Sequence, residues 1–508
     1  MLRFARQSLK YVRSRRFFGT AMHTKPQLTE ETKAYSSIPG PKIVPEAGGT
    51  IYDIMQRFEE SYNMYEVFDS YRNDFGDVVK HNMGGKEQVW IYDPNDIKKI
   101  FQREGQFPKV SVTNLWPIIQ HLKRRGLPTT LLGESNEKQQ ALRRVLQKEI
   151  TTPRAPMTYL PLLHEPVNHI SENFPHYAED LGEFSPLAAM DMFFSVMIGF
   201  NPKSIVGIER GALEKDIEFA NSARLFLGAL GPMIRDYRLG EDSEEFKNFT
   251  KGFDYVLDNA DGYFQYLTEK HKKGVYEHEV RPYFARILDA AEIPPEELMP
   301  SFTQLLAAGI DTTSVVMQNL LINLARNTDV QQELREELYS VMGKDGDMQE
   351  EHFKQIPFLN ATMRESHRIT PPGTATTSRT MTEGIQIGGY DIPVDVEVMF
   401  NMRAIQNDPK YVEDPHVFNP HRWLPDAVSK RKGTESEIID SPIIRHPFGF
   451  GPRMCLGYRI AELEIRMMTS KIIRDYEIEL KDPDAPIVYI QELFARQDPI
   501  PQLKVKKI

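Results

Sequence analysis

Apolar positions recur at helical spacing through most of the chain, and only a few short stretches alternate as strands do. Tyr52 to Asp74 has a helical pattern. Residues 155 to 300 read as a series of helices, including Phe184 to Gly199, Lys215 to Leu230 and Ser243 to Lys272. Ser243 is a suitable cap for the last of these, with Glu244 and Glu245 in its first turn. Pro300 to Arg326 is apolar nearly all round and predicts a buried helix. Glu134 to Ile150, Phe358 to Ile369 and Leu456 to Tyr476 are predicted helices, and Asp93-Pro94 opens another. Asp77 to His81 and Gln88 to Tyr92 alternate like strands and are joined through Gly84-Gly85. Thr374 to Arg379 reads as a strand, and Gly384 to Val398 as a hairpin turning at Gly388-Gly389. Phe107 to Gly133 has no clear period and reads as a long loop with a helical piece. Ser222 to Gly240, with Gly228, Gly231 and Pro232, reads as a lid between helices. Ala427 to Asp440 reads as a polar surface loop, and Leu493 to Leu503 as a short hairpin.

Composition narrows the picture. The 508 residues are 40% hydrophobic and 26% charged, which is ordinary for a globular protein. The net charge of -10 argues against nucleic acid as the main partner. Residues 1–25 stand apart: Arg3, Arg6, Lys10, Arg13, Arg15, Arg16 and Lys25 precede the first acid, Glu30. Leu2, Phe4, Leu9, Tyr11 and Val12 give this segment an apolar face. That is the description of a mitochondrial transit peptide, with a basic arm or a membrane-surface helix as the alternative. A Pro-rich hinge over 26–45 follows, containing SSIPGPKIVP, and 46–508 remains as one catalytic domain. No run of some 18 apolar residues stands out, so no membrane-spanning helix is expected.

Candidate chemistry gathers at three places. Cys455 is the only cysteine, so it forms no internal disulfide and no two-cysteine metal clamp. It lies in Phe448 to Gly457, FGFGPRMCLG, where Gly449, Gly451 and Pro452 predict a tight loop. A helix start behind it and Arg453 before it favour a thiolate, which suits a soft ligand to iron. Second, Ala308-Gly309-Ile310-Asp311-Thr312-Thr313 places a glycine and two threonines in the middle of a buried helix. Threonine there can divert a backbone carbonyl, although a packing seam reads the same way. Third, Glu365 and Arg368 share a helix face at i and i+3.

Phe448, Gly451, Arg453, Cys455 and Gly457 resemble, position for position, the F-x-x-G-x-R-x-C-x-G haem loop of the cytochrome P450 family. The resemblance implies a mainly helical fold with a small β-rich lobe, and haem b (iron protoporphyrin IX) with Cys455 as axial ligand. It implies that Ala308 and Gly309 leave a groove for dioxygen. Thr312 would donate a hydrogen bond there and organise water, and Asp311 would relay protons. Glu365 and Arg368 would form a buried lock with Arg422, which stands in a stretch similar to P-x-x-F-x-P-x-R-W. Arg143 and Arg379 would meet haem propionates, with Gln139 standing where the family usually has tryptophan. The run after Cys455 resembles the mitochondrial branch. That branch takes electrons from a [2Fe–2S], adrenodoxin-like ferredoxin, and Arg364 and Arg459 would help dock it; Asn360 stands where a lysine is often found. The implied activity inserts one atom of dioxygen into a lipophilic substrate. The 107–133 loop would cover it and the chain-end hairpin would reach into its pocket. Sterol, secosteroid, fatty acid and foreign lipophile all stay open. The implied location is the mitochondrion, peripheral on the matrix side of the inner membrane. Alternatives are a haem-thiolate isomerase or peroxide-rearranging enzyme, disfavoured by Asp311 and Thr312, and a haem-binding sensor without turnover.

Overall fold

The computed structural model describes residues 32–508 apart from 84, 111–115, 130, 132–134, 236–238, 277, 291–292, 374–376, 487 and 492–493. The basic leader expected over 1–25 lies outside the described residues.

Helices carry the larger core. Leu181–Ile198, Glu214–Arg235, Glu244–Lys273, Pro295–Arg326 and Tyr458–Asp475 share one buried apolar cluster. Asp180 caps the first, accepting a hydrogen bond from the Glu183 amide, and Gly199 ends it at φ 70. Ser243 caps Glu244–Lys273 through the Phe246 amide, as its sequence position predicts. Leu181–Ile198 and Glu297–Arg326 are long and apolar enough to cross a bilayer by length and composition. This corrects the expectation that no such run exists. Both are core helices, 94% and 78% buried inside the protein, so their apolar surface is spent on packing.

The β-rich lobe is small. Strands β1 (Val78–Met83), β2 (Lys86–Ile91), β3 (Thr377–Thr380) and β6 (Glu397–Phe400) form one sheet in the order β1-β2-β6-β3. β2 and β6 run parallel and the other pairs antiparallel. Arg379 stands opposite Val398, which fixes its side chain at the sheet's end near the cysteine loop. β4 (Ile385–Ile387) and β5 (Tyr390–Ile392) make a hairpin at the predicted turn, Gly388 and Gly389 at φ 54 and 81, but shorter than Gly384 to Val398 because Glu397 and Val398 belong to β6. Two consecutive positive φ values are what a tight two-residue hairpin turn requires. β7 (Tyr476–Leu480) pairs with β10 (Leu503–Lys507), and β8 (Tyr489–Gln491) with β9 (Ala495–Gln497).

Five expectations shift. Tyr52 to Asp74 is two helices, Ile51–Ser61 and Met64–Phe75, broken at Tyr62 with φ 52. The lid expected over Ser222 to Gly240 is helical as far as Arg235, because buried Phe226, Leu227, Leu230 and Met233 outweigh the glycines and Pro232. Ala427 to Asp440 holds a helix, Pro425–Arg431, and a 3-10 turn, Glu435–Asp440, clasped by Arg431 and Asp440 at 2.7 Å. The chain-end hairpin lies earlier than Leu493 to Leu503: Pro499 and Pro501 have no N–H for a ladder, and Leu503 opens β10. The helix expected from Leu456 starts at Tyr458, so Cys455 stands before the cap, Gly457.

Candidate active site

Pro295–Arg326 runs through the core with Phe302, Leu306, Ile310, Met317 and Leu320 fully buried. Ala308 breaks that pattern. It is exposed in mid-helix, with Gly309 and Thr312 partly so. The Thr312 hydroxyl donates to the Ala308 carbonyl at 2.7 Å, and the Ser314 hydroxyl to the Asp311 carbonyl at 2.7 Å. Side-chain bonds of this kind draw carbonyls off the helical ladder. Gly309 also has a packing role. A Cβ there would lie 2.5 Å from the Phe193 ring on Leu181–Ile198, so glycine lets the two helices close. Of the pair, Ala308 is the residue that presents open surface.

Asp311 is buried, and burial pushes its carboxyl above the usual carboxylate range. Two cations pull it back. Arg496 on β9 brings its Nη2 within 3.4 Å, and Arg224 acts from Glu214–Arg235. Neither arginine was visible as a partner in the sequence, since they lie far from Asp311 along the chain.

The cysteine loop is built on its own backbone. The Cys455 amide donates to the Phe448 carbonyl at 2.9 Å, and the Met454 amide to Gly451 at 3.1 Å. Gly451 needs its φ of 76, and a Cβ on it would meet the Glu104 carboxylate at 2.3 Å. The sulfur receives the backbone N–H groups of Gly457 and Tyr458 and feels Arg143. Burial outweighs them and holds the unligated thiol above its ordinary value, and the cation acting on it is Arg143 where the sequence pointed to Arg453. A cation bound at the sulfur deprotonates a thiol outright. The side chain is accessible although protein encloses it, so it lines an inward-facing surface.

Three arginines gather at this loop. Arg143 donates to the Met454 carbonyl. Arg453 donates to Pro108 O at 3.1 Å and to the Ser135 hydroxyl. Arg379 pairs with Glu104 at 2.6 Å, donates to Phe450 O at 3.2 Å, and stacks on Phe101 at 4.8 Å. Burial, Arg143 and Arg379 together push Arg453 down to about 10. Three guanidinium charges less the Glu104 carboxylate leave two positive charges. That matches the two propionates of haem b. Among the described residues no three His, Cys, Asp or Glu side chains converge on a bare metal ion. A porphyrin brings four ligands of its own and needs one from the protein. The donor set fits a porphyrin iron.

Glu365, on Pro357–Ile369, is the hub of the lock. It accepts from Arg368 Nε and Nη2 at 2.9 and 2.8 Å, and from Arg422 Nε at 3.0 Å. Trp423 Nε1 at 2.8 Å and the Asn419 amide at 2.9 Å complete the set. Arg368 spends its remaining fork on Asn407 Oδ1 at 2.8 Å. Trp423 and Asn419 were legible only as part of a motif, not as ligands of Glu365.

On the neighbouring face Arg364 is exposed, and Arg459 donates to Thr151 O at 2.8 Å while stacking on Tyr458. Asn360 accepts from Arg466 Nε at 2.7 Å. Arg364, Arg459 and Arg466 line one cavity.

A lone sulfur held by helix amides beside three arginines, with a threonine and a buried acid on the core helix, defines a haem-thiolate enzyme. The cytochrome P450 family model matches residues 45–505, and the chain belongs to that family. Its cofactor is a cysteine-ligated haem and its activity is monooxygenation. The chain is 25% identical over 504 residues to the probable cytochrome P450 12d1 proximal, mitochondrial, of Drosophila melanogaster, covering 94% of this chain and 93% of that protein. It is 27% identical over 426 residues to the human mitochondrial cholesterol side-chain cleavage enzyme, covering 80% and 78%. Retinoic acid-bound cyanobacterial CYP120A1 has the same fold, with a TM-score of 0.74 at 17% identity, covering 94% of this chain and 100% of that one.

Proposed function

We propose that this chain is a mitochondrial monooxygenase that hydroxylates a sterol-sized lipophile with electrons from a [2Fe–2S] ferredoxin. The observation that carries the reading is the Cys455 sulfur, held by the Gly457 and Tyr458 amides inside a collar of Arg143, Arg379 and Arg453. Cys455 would hold the haem iron through its sulfur, and Phe448, Gly451 and Gly457 give its loop the shape that presents it. Arg143, Arg379 and Arg453 take the propionates. The bound haem supplies dioxygen activation and C–H oxidation. Thr312 would offer its hydroxyl to oxygen bound at the haem, beside the open surface of Ala308. Asp311, raised by burial and restrained by Arg496, passes protons inward. Glu365, Arg368 and Arg422 hold the polypeptide beneath the cysteine loop.

Location and partners follow the relatives' names and the surface. Residues 1–25 direct import, 26–45 form the hinge, and 46–508 the catalytic domain. Tyr52 and Met55, three residues apart on Ile51–Ser61, are exposed, as is Tyr62 at the helix's end, which supports peripheral contact with the matrix side of the inner membrane. Arg364 and Arg459 face the acidic ferredoxin.

Reconstitution with a [2Fe–2S] ferredoxin, its reductase and NADPH tests this. Lipophiles are first screened for the spin-state shift that follows loss of the iron's water. A sterol-class ligand that shifts the spectrum and yields a hydroxylated product only with the full electron chain is the expected result. Turnover with peroxide alone and none with ferredoxin contradicts it.

A further inference from the structure

The cavity on the Arg364 face has a volume of about 470 Å³, within the size range of small-molecule sites. Four arginines line it: Arg364, Arg445, Arg459 and Arg466. Glu462 is its one carboxylate, and His367 and His446 are held neutral by burial, His367 being pushed down to about 4. Four positive charges less one leave three. Two of the guanidinium groups are committed: Arg459 to Thr151 O, and Arg466 to Asn360 and Glu462. Among the described residues the guanidinium groups of Arg364 and Arg445 have neither a hydrogen-bond nor an ion-pair partner. Arg445 and Arg466 repel Arg364 and add to the burial that disfavours its charge.

A flat protein-docking surface does not explain this arrangement. The cations converge into a concavity, where lower dielectric strengthens their shared field. Guanidinium forks match phosphate oxygens two at a time, and a net of three positive charges matches a di- or triphosphate better than a lone carboxylate. Planar side chains, Tyr458 and His446 packed edge to face at 6.0 Å, form one wall.

We propose that this cavity binds a small phosphate-bearing anion of pyrophosphate type, seated by Arg364 and Arg445. The site overlaps Arg364 and Arg459, so its occupant competes with the electron donor; this second clause rests on the ferredoxin reading above.

Inorganic pyrophosphate is titrated calorimetrically into the full-length holoenzyme in a low-salt, phosphate-free buffer. Saturable one-to-one binding is expected, weakened about tenfold or more in Arg445→Gln and in Arg364→Gln. Both variants are checked for a parental reduced carbon-monoxide spectrum, and Arg125→Gln, on another surface, binds as the parent does. Absence of saturable binding up to about 10 mM, or equal binding by parent and both variants, overturns the site. A second readout is kinetic. Bound pyrophosphate slows haem reduction by ferredoxin and leaves reduction by dithionite unchanged; slowing neither overturns the competition. If ferredoxin fails to reduce the enzyme without pyrophosphate, the donor reading falls and calorimetry alone decides the site.

Discussion

Glu365 and Asp311 are both buried carboxylates facing arginine, and the protein treats them in opposite ways. Glu365 is fully enclosed and accepts five hydrogen bonds, from Arg368, Arg422, Trp423 and Asn419. Both carboxylate oxygens are saturated with donors, so removing the carboxylate strands several buried N–H groups at once. Asp311 is almost as deeply buried, with 2% of its side chain exposed, but the one hydrogen bond to its carboxylate among the described residues is the 3.4 Å contact with Arg496. Arg496 itself is 20% exposed. Burial raises the affinity of Asp311 for a proton. Saturation makes an ion pair a fastener; incomplete coordination leaves a carboxylate able to gain and lose protons.

The largest test of that contrast falls on the fastener. Glu365→Gln leaves Arg368 buried without its counter-charge and costs roughly 3–5 kcal/mol. Thermal unfolding and the yield of haem-containing protein measure it, and a parental midpoint breaks the comparison. Asp311→Asn keeps the fold, because it strands no saturated network, but lowers product formation about 10²-fold. Equal losses of stability in the two variants would erase the distinction. The smallest effect belongs to Arg496→Gln. The Arg496 charge lowers the Asp311 pKa, so its removal raises it, and the limb of the pH–rate profile that Asp311→Asn abolishes moves to higher pH by about one unit. A limb that stays or moves to lower pH contradicts the relay.

What the sequence disclosed was local. Cys455, Arg453 and Gly451 form one loop, and Asp311 and Thr312 one helical turn, so spacing alone places them together. Arg422 was legible because it stands in a compact motif of its own. The partners that tune these residues were not, because the fold brings them from far along the chain. Glu104 meets Arg379 across 275 positions and Arg496 meets Asp311 across 185. Gly309 hid its packing role, because a glycine shows what it lacks and not what lies opposite; the Phe193 ring lies there. Polarity misled at Ala427 to Asp440, where an exposed helix carries the same composition as a loop. The thiol of Cys455 shows the limit of position-based electrostatics, since amides and Arg143 lower its pKa and enclosure raises it further than they lower it.

The central claim is that the Cys455 sulfur is the protein's bond to a porphyrin iron. The reduced carbon-monoxide difference spectrum of Cys455→Ser, taken beside that of the parent, tests it most directly. The parent should give the thiolate band of the family, and the variant should lose that band and its turnover. A variant that keeps both would place the iron ligand elsewhere and contradict the account.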